Sequence, residues 1–170
     1  MADEIGVSDS AQECLCKAEE VVLLPCSGGS NCGQIANQVA VKLTEEGLGN
    51  FYCLAGIGAH IEGMMNSVRS AKRVVALDGC AVACAKKTIE HAGLVVTDWI
   101  CVTEEGIEKV HEFALQPKDI ELIARRTAEM LAMAPQASVG ETHRDEIKAR
   151  VVKMLEETSA RSSKNLIGAE

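Results

Sequence analysis

A chain of 170 residues with 47% hydrophobic content supports one domain of ordinary size with a helical appendage, and is too short for two full domains. Its net charge of -8, with one Trp, one Tyr, two Phe and no Lys/Arg-rich run, supplies neither a phosphate-binding surface nor stacking platforms, which argues against nucleic acid. No apolar run reaches the roughly 20 residues that cross a bilayer, and the opening Met1-Ala-Asp-Glu lacks a basic or apolar leader, so the expectation is a cytoplasmic protein without a membrane partner.

Residues 1–19 are polar and without clear periodicity, and they carry Cys14 and Cys16. They read as an arm whose thiol pair is exposed or forms a small independent metal site. Residues 20–26 read as a central buried strand, Val21 to Leu24 being a continuous apolar run that Pro25 ends. The loop Cys26-Ser27-Gly28-Gly29-Ser30-Asn31-Cys32 then leads into a helix over 31–46, with Ile35, Ala36, Val39, Ala40 and Leu43 on one face and Gly47 as its cap. A second strand is expected over 51–55 and a second helix over 61–71, with Gly56, Gly58 and His60 between them.

The third unit holds the most chemistry. Arg73 to Leu77 form a buried strand, Asp78-Gly79 break it, and a helix is expected to follow, with Cys80 at its start and Cys84 one turn later on the same face. A fourth strand over 95–102 and a short helix over 107–113 complete the repeat. Beyond Pro117, residues 118–133 and 143–157 carry amphipathic stripes that read as a helical hairpin, packed on the sheet or on a second copy of the chain as a homodimer. The expected division is an arm (1–19), an α/β domain (20–115), a helical extension (116–158) and a tail (159–170).

Strands alternating with helices at this short repeat imply a three-layer, Rossmann-like α/β fold. It would hold a parallel sheet of about four strands, with helices on both faces and right-handed crossovers. In such a sheet the C-terminal strand ends share one edge, where ligands bind. Cys26, Cys53 and Cys80 are spaced 27 residues apart, one βα unit each, and all fall near strand ends. Topology alone therefore brings them, with Cys84, to one place.

Eight cysteines in a reducing compartment point to metal binding or catalysis rather than disulfides. Four thiolates in a tetrahedron suit zinc, and scattered core cysteines are the competing explanation. Three thiolates with an open position would instead suit a zinc-dependent enzyme, its small anionic substrate held by Ser27, Gly28, Gly29, Ser30 and Asn31. The same thiols would also satisfy an iron-sulfur cluster or dithiol redox chemistry. Cys32 is either a spare thiol or a small buried residue, and Cys101, inside the fourth strand, reads as core.

Asp78 is a ligand-orienting acceptor, a distant ligand, or the cap of the following helix. His60 is the histidine expected at the cysteine-bearing edge, a candidate alternative ligand or acid/base group with a local, solvent-exposed role as the favoured reading, whereas His91, His111 and His143 read as surface residues. A cysteine-dependent phosphatase loop would need an arginine after five intervening residues, where Cys32 stands. Gly56-Ile-Gly58 lacks the third glycine of a dinucleotide fingerprint, Ile61 being in its place.

The motifs Pro25-Cys-Ser-Gly-Gly-Ser-Asn with Gly33-Gln-Ile-Ala, Cys53-Leu-Ala-Gly-Ile-Gly, and Asp78-Gly-Cys with Cys84-Ala-Lys-Lys resemble the DGC domain family, described as zinc-binding. The resemblance runs from about residue 21 to 113. It implies metal-binding cysteines at Cys26, Cys53, Cys80 and Cys84, and supplies no reaction. A small-molecule or protein partner stays unspecified by the sequence.

Overall fold

The computed structural model describes residues 20–133, together with 152–154 and 156–157. Cys14, Cys16, His143, the tail and most of the second amphipathic segment lie outside the described residues. The described chain runs β1 (Val21–Pro25), α1 (Asn31–Glu45), β2 (Asn50–Phe51), α2 (Leu54–Gly58), α3 (Glu62–Ser70), β3 (Arg73–Asp78), α4 (Cys84–His91), β4 (Asp98–Cys101), a 3-10 turn (Val102–Glu105) and α5 (Pro117–Ala132). Among the described residues no helix is long and apolar enough to cross a membrane.

The four strands form one parallel sheet in the order β2-β1-β3-β4. Every residue of β1 and β3 is buried, as expected of β-branched runs covered on both faces. Their side chains alternate between two cores. Val21, Leu23, Val75 and Leu77 pack with α1 and α5, while Val22, Leu24, Val74 and Ala76 pack with α2, α3 and α4. Met154 is buried in the first of these cores, so part of the second amphipathic segment reaches the α1–α5 face. Helices thus cover both faces of an α/β sheet.

Strand order reverses between β1 and β3, since the chain leaves β1 toward β2 on one side and returns to β3 on the other. The ladder between them runs from Val21 opposite Arg73 to Pro25 opposite Leu77. It continues one residue further, with the amide of Cys26 donating to the carbonyl of Leu77 at 2.7 Å. Such a reversal opens a crevice at the C-terminal strand ends.

At the opposite end of β3 a buried ion pair joins three elements. Arg73 donates through Nε to Asp98 Oδ2 at 2.9 Å and through Nη2 to Asp98 Oδ1. Its Nη1 also donates to the carbonyl of Leu131 at 2.6 Å and Nη2 to that of Met130 at 3.2 Å. One guanidinium therefore ties β3 to β4 and satisfies the open carbonyls at the end of α5.

Several elements differ from the sequence-based expectation. The second strand is two residues long, and the rest of the expected run turns into α2. An edge strand needs only one partner: Asn50 and Phe51 pair with β1, and the amide of Tyr52 adds a bond to Leu23 at 2.9 Å. Helix α4 begins at Cys84, with Gly79 to Val82 in a turn. Cys80 and Cys84 are therefore not on one helical face. The helix expected over 107–113 is absent, and that segment is an irregular strap.

Candidate functional site

Each predicted cysteine of the sheet edge follows its strand as expected. Cys26 comes directly after β1, Cys53 two residues after β2, and Cys80 two residues after β3. Cys84 opens α4 behind Ala83, whose left-handed backbone (φ 56°) costs a β-carbon-bearing residue about 1 kcal/mol. Strain of this kind is retained where the chain must aim a side chain.

Cys26, Cys80 and Cys84 line one cleft of about 360 Å3 at the β1/β3 reversal, with Gly28, Lys109 and His111. Cys53 is exposed and lines the adjoining cleft with Pro25, Ser27 and Leu54. The edge thus brings three of the four thiols into one cleft and sets the fourth beside it. Among the described residues, no three His, Cys, Asp or Glu side chains stand close enough to hold a metal ion without rearrangement.

The turn Asp78-Gly79-Cys80 divides its labour residue by residue. Asp78 accepts from the amide of Ala85 at 2.7 Å through Oδ1, and through Oδ2 from the amide of Lys86 at 3.1 Å and the indole of Trp99 at 3.0 Å. Both oxygens are spent on the start of α4 and on β4, so Asp78 is a capping residue. Gly79 lies against α1: a β-carbon there would meet the amide nitrogen of Gly33 at 2.6 Å and the carbonyl carbon of Cys32 at 2.8 Å. Cys80 then faces the cleft, where the Lys109 ammonium donates to its Sγ at 3.4 Å.

Burial pushes the Cys26 thiol up, and the backbone amides of Gly79 and Gly28 act in the opposite direction. Charge on Asp78 and on Cys84 adds to the upward push. Cys32 is buried under the strap, its Sγ near the carbonyls of Glu108 at 3.7 Å and Ile107 at 3.8 Å. Burial, followed by the neighbouring Cys80, raises its thiol as well, with Lys109 opposing. Cys101 is buried as expected, but β4 spans only Asp98–Cys101, so this residue ends the strand and does not lie inside it.

The glycine-rich loop is largely engaged with its own surroundings. Ser30 caps α1, its Oγ accepting from the amide of Gly33 at 3.3 Å, and the Gln34 side chain donates to the carbonyl of Gly28 at 3.1 Å. Asn31 fastens the strap with its amide to Val110 O (3.1 Å), its Nδ2 to Glu108 O (2.8 Å) and its Oδ1 to Val110 N (2.8 Å). Two amides that would cradle an anion, those of Asn31 and Gly33, therefore already have partners.

His60 is exposed, with a left-handed backbone (φ 55°) between α2 and α3, and is not among the residues lining the thiol cleft. His111, expected at the surface of a helix, instead lines the cleft from the strap, its Nδ1 2.9 Å from the carbonyl of Gly29. A signal for this was present in the sequence. Lys109 and His111 are two residues apart, a spacing that shares a side of an extended chain and diverges on a helix.

Over 96 residues, 56% of this chain and 73% of the relative, the sequence is 32% identical to the Anaerobic and virulence modulator AnvM of Pseudomonas aeruginosa. No solved structure matches the chain. The DGC domain profile matches residues 22–127, a span that holds the three cleft thiols, Cys53, the Asp78-Gly79-Cys80 turn and the strap, and the chain belongs to the DGC domain family.

Proposed function

We propose that the protein binds one zinc ion through thiolates at the β1/β3 crevice, with Cys26, Cys80 and Cys84 as ligands. The observation that carries this reading is that three thiols, one following β1 and two on the β3–α4 connection, line a single cleft. The donor chemistry fits, because thiolate clusters select soft or borderline metals over calcium or magnesium. A cation already stands there, the Lys109 ammonium on Cys80.

Bound zinc would supply a crosslink between the β1–α1 loop, the β3–α4 turn and the start of α4, and binding would release the thiol protons. The chain's own residues prepare for it. Gly79 lets the turn approach α1, Asp78 fixes the start of α4, and the amides of Gly28 and Gly79 face the Cys26 sulfur. The Pseudomonas aeruginosa relative is named a modulator, which supports a sensing or storing role over turnover of a substrate. Eight cysteines support a reducing, cytoplasmic setting. The apolar face of α5 and Met154 pack in the chain's own core, and sedimentation tests whether a homodimer forms as well.

The deciding experiment is elemental analysis with a free-thiol count on anaerobically purified protein, before and after denaturation with chelator. One zinc per chain, with cleft thiols protected until chelation, is the expected result. Iron with sulfide, or no metal and a reducible disulfide, would replace this reading with cluster or dithiol chemistry.

A further inference from the structure

Three thiolates leave one position of a tetrahedral ion open. The cleft contains one further side chain suited to it. His111 lines the cleft with Cys26, Cys80 and Cys84, and its Nδ1 is 2.9 Å from the carbonyl oxygen of Gly29. A carbonyl oxygen can only accept, so Nδ1 carries the proton, and in the neutral ring Nε2 keeps a lone pair. Zinc-binding imidazoles are held in this way, with one nitrogen on the metal and the other N–H on a carbonyl or carboxylate. We infer that His111 Nε2 is the fourth protein ligand of the metal site, closing a three-cysteine, one-histidine shell, an inference that rests on the zinc-binding reading above.

Two further observations agree. The strap carrying His111 is fixed to the start of α1 by the three Asn31 hydrogen bonds, so the backbone that carries the imidazole is anchored beside the cleft before any metal arrives. Charge is also better balanced. Zinc with three thiolates and a neutral imidazole carries one negative charge, which the adjacent Lys109 ammonium offsets. Four thiolates would carry two, in a chain whose net charge is already -8. Cys53, in the adjoining cleft, stays outside this shell.

The test is anaerobic Co(II) titration of the metal-free, full-length chain and of Cys80→Ser, Cys53→Ser, His111→Ala and His111→Cys, read by visible absorption. Circular dichroism of each metal-free variant checks that it folds. Wild type should take up one Co(II) with intense tetrahedral ligand-field bands, and Cys53→Ser should match it. His111→Ala should lose affinity by about tenfold or more. His111→Cys should bind again with its bands moved to longer wavelength, because thiolate is a weaker-field ligand than imidazole, and this variant decides the matter if His111→Ala does not fold.

Unchanged affinity and bands in His111→Ala, or bands that move in Cys53→Ser, would overturn the histidine assignment alone, provided Cys80→Ser has lost the metal. A wild type that takes up no Co(II), or a Cys80→Ser variant that binds as wild type does, would overturn the zinc reading and this inference together.

Discussion

A β-carbon placed on Gly79 would stand 2.6 Å from the backbone nitrogen of Gly33. The β3–α4 turn and the first turn of α1 are therefore in direct main-chain contact, and neither backbone has a flexible side chain to move aside. Gly79→Ala should destabilise the fold by about 1–3 kcal/mol, as overpacking does. Gly29→Ala, with nothing within 4 Å of the added carbon, should stay within about 0.5 kcal/mol of wild type. Urea unfolding of the two variants measures the difference, and equal midpoints would refute the close contact.

Asp98 and Arg73 are 4% and 6% exposed at their side chains, so removing one leaves a buried, uncompensated charge on the other. Asp98→Ala should cost about 3–5 kcal/mol. The double variant Arg73→Met/Asp98→Leu should recover part of that loss. A single variant no worse than an ordinary surface substitution would mean that water reaches the pair.

Trp99 is the chain's one tryptophan, and its indole donates to Asp78 at 3.0 Å while Lys86 sits 4.9 Å above its ring. Asp78→Ala should remove the two amide bonds at the start of α4 and cost about 1–3 kcal/mol. Its tryptophan emission should change in the folded state. An unaltered spectrum with unaltered stability would remove Asp78 from the capping role.

The Cys32 thiol is raised above its ordinary value of 9.0, as is that of Cys26. An unfolded chain gives up these protons first, so unfolding releases protons as pH rises from about 9. This contribution to stability is complete below 9.0 and is lost as pH climbs through the higher folded-state values. In metal-free protein the urea midpoint should fall over that window, and the fall should be shallower in Cys32→Ala. Equal slopes would show that Cys32 titrates alike in both states.

Among the cysteines of the described residues, the exposed thiols of Cys53 and Cys84 should react first with an alkylating agent in metal-free protein, and the buried Cys32 and Cys101 last. Peptide mass spectrometry after a short pulse reads the order directly. Early labelling of Cys32 would mean that the strap opens under native conditions.

What could be read in advance follows from how far each signal acts along the chain. The runs Val21 to Leu24 and Arg73 to Leu77 are buried on both faces, so composition alone marks them as strands, and parallel order then brings Cys26, Cys80 and Cys84 to one edge. The limits of β2 depend on the edge position of Asn50 and Phe51, which no local pattern records. The strap is harder still. Its conformation is set by Asn31, 79 residues before Val110, and the expected helix over 107–113 hid the shared placement of Lys109 and His111. The turn at Gly79 displaced the start of α4 for a similar reason, since what it packs against is the distant Gly33.

The pairing of β1 with β3 also sets an order of events. Residues 21–25 meet residues 73–77 only after a loop of about fifty residues has closed, and non-local pairing of this kind is slow compared with helix formation. While the chain is being made, Cys26 precedes β3 and has none of its partners from that strand's end. During that interval its sulfur is open to oxidation or to capture by the wrong metal. A fragment ending before β3 should therefore leave Cys26 as reactive as a thiol in an unfolded peptide, so the fold protects this sulfur only when the second of its two central strands arrives.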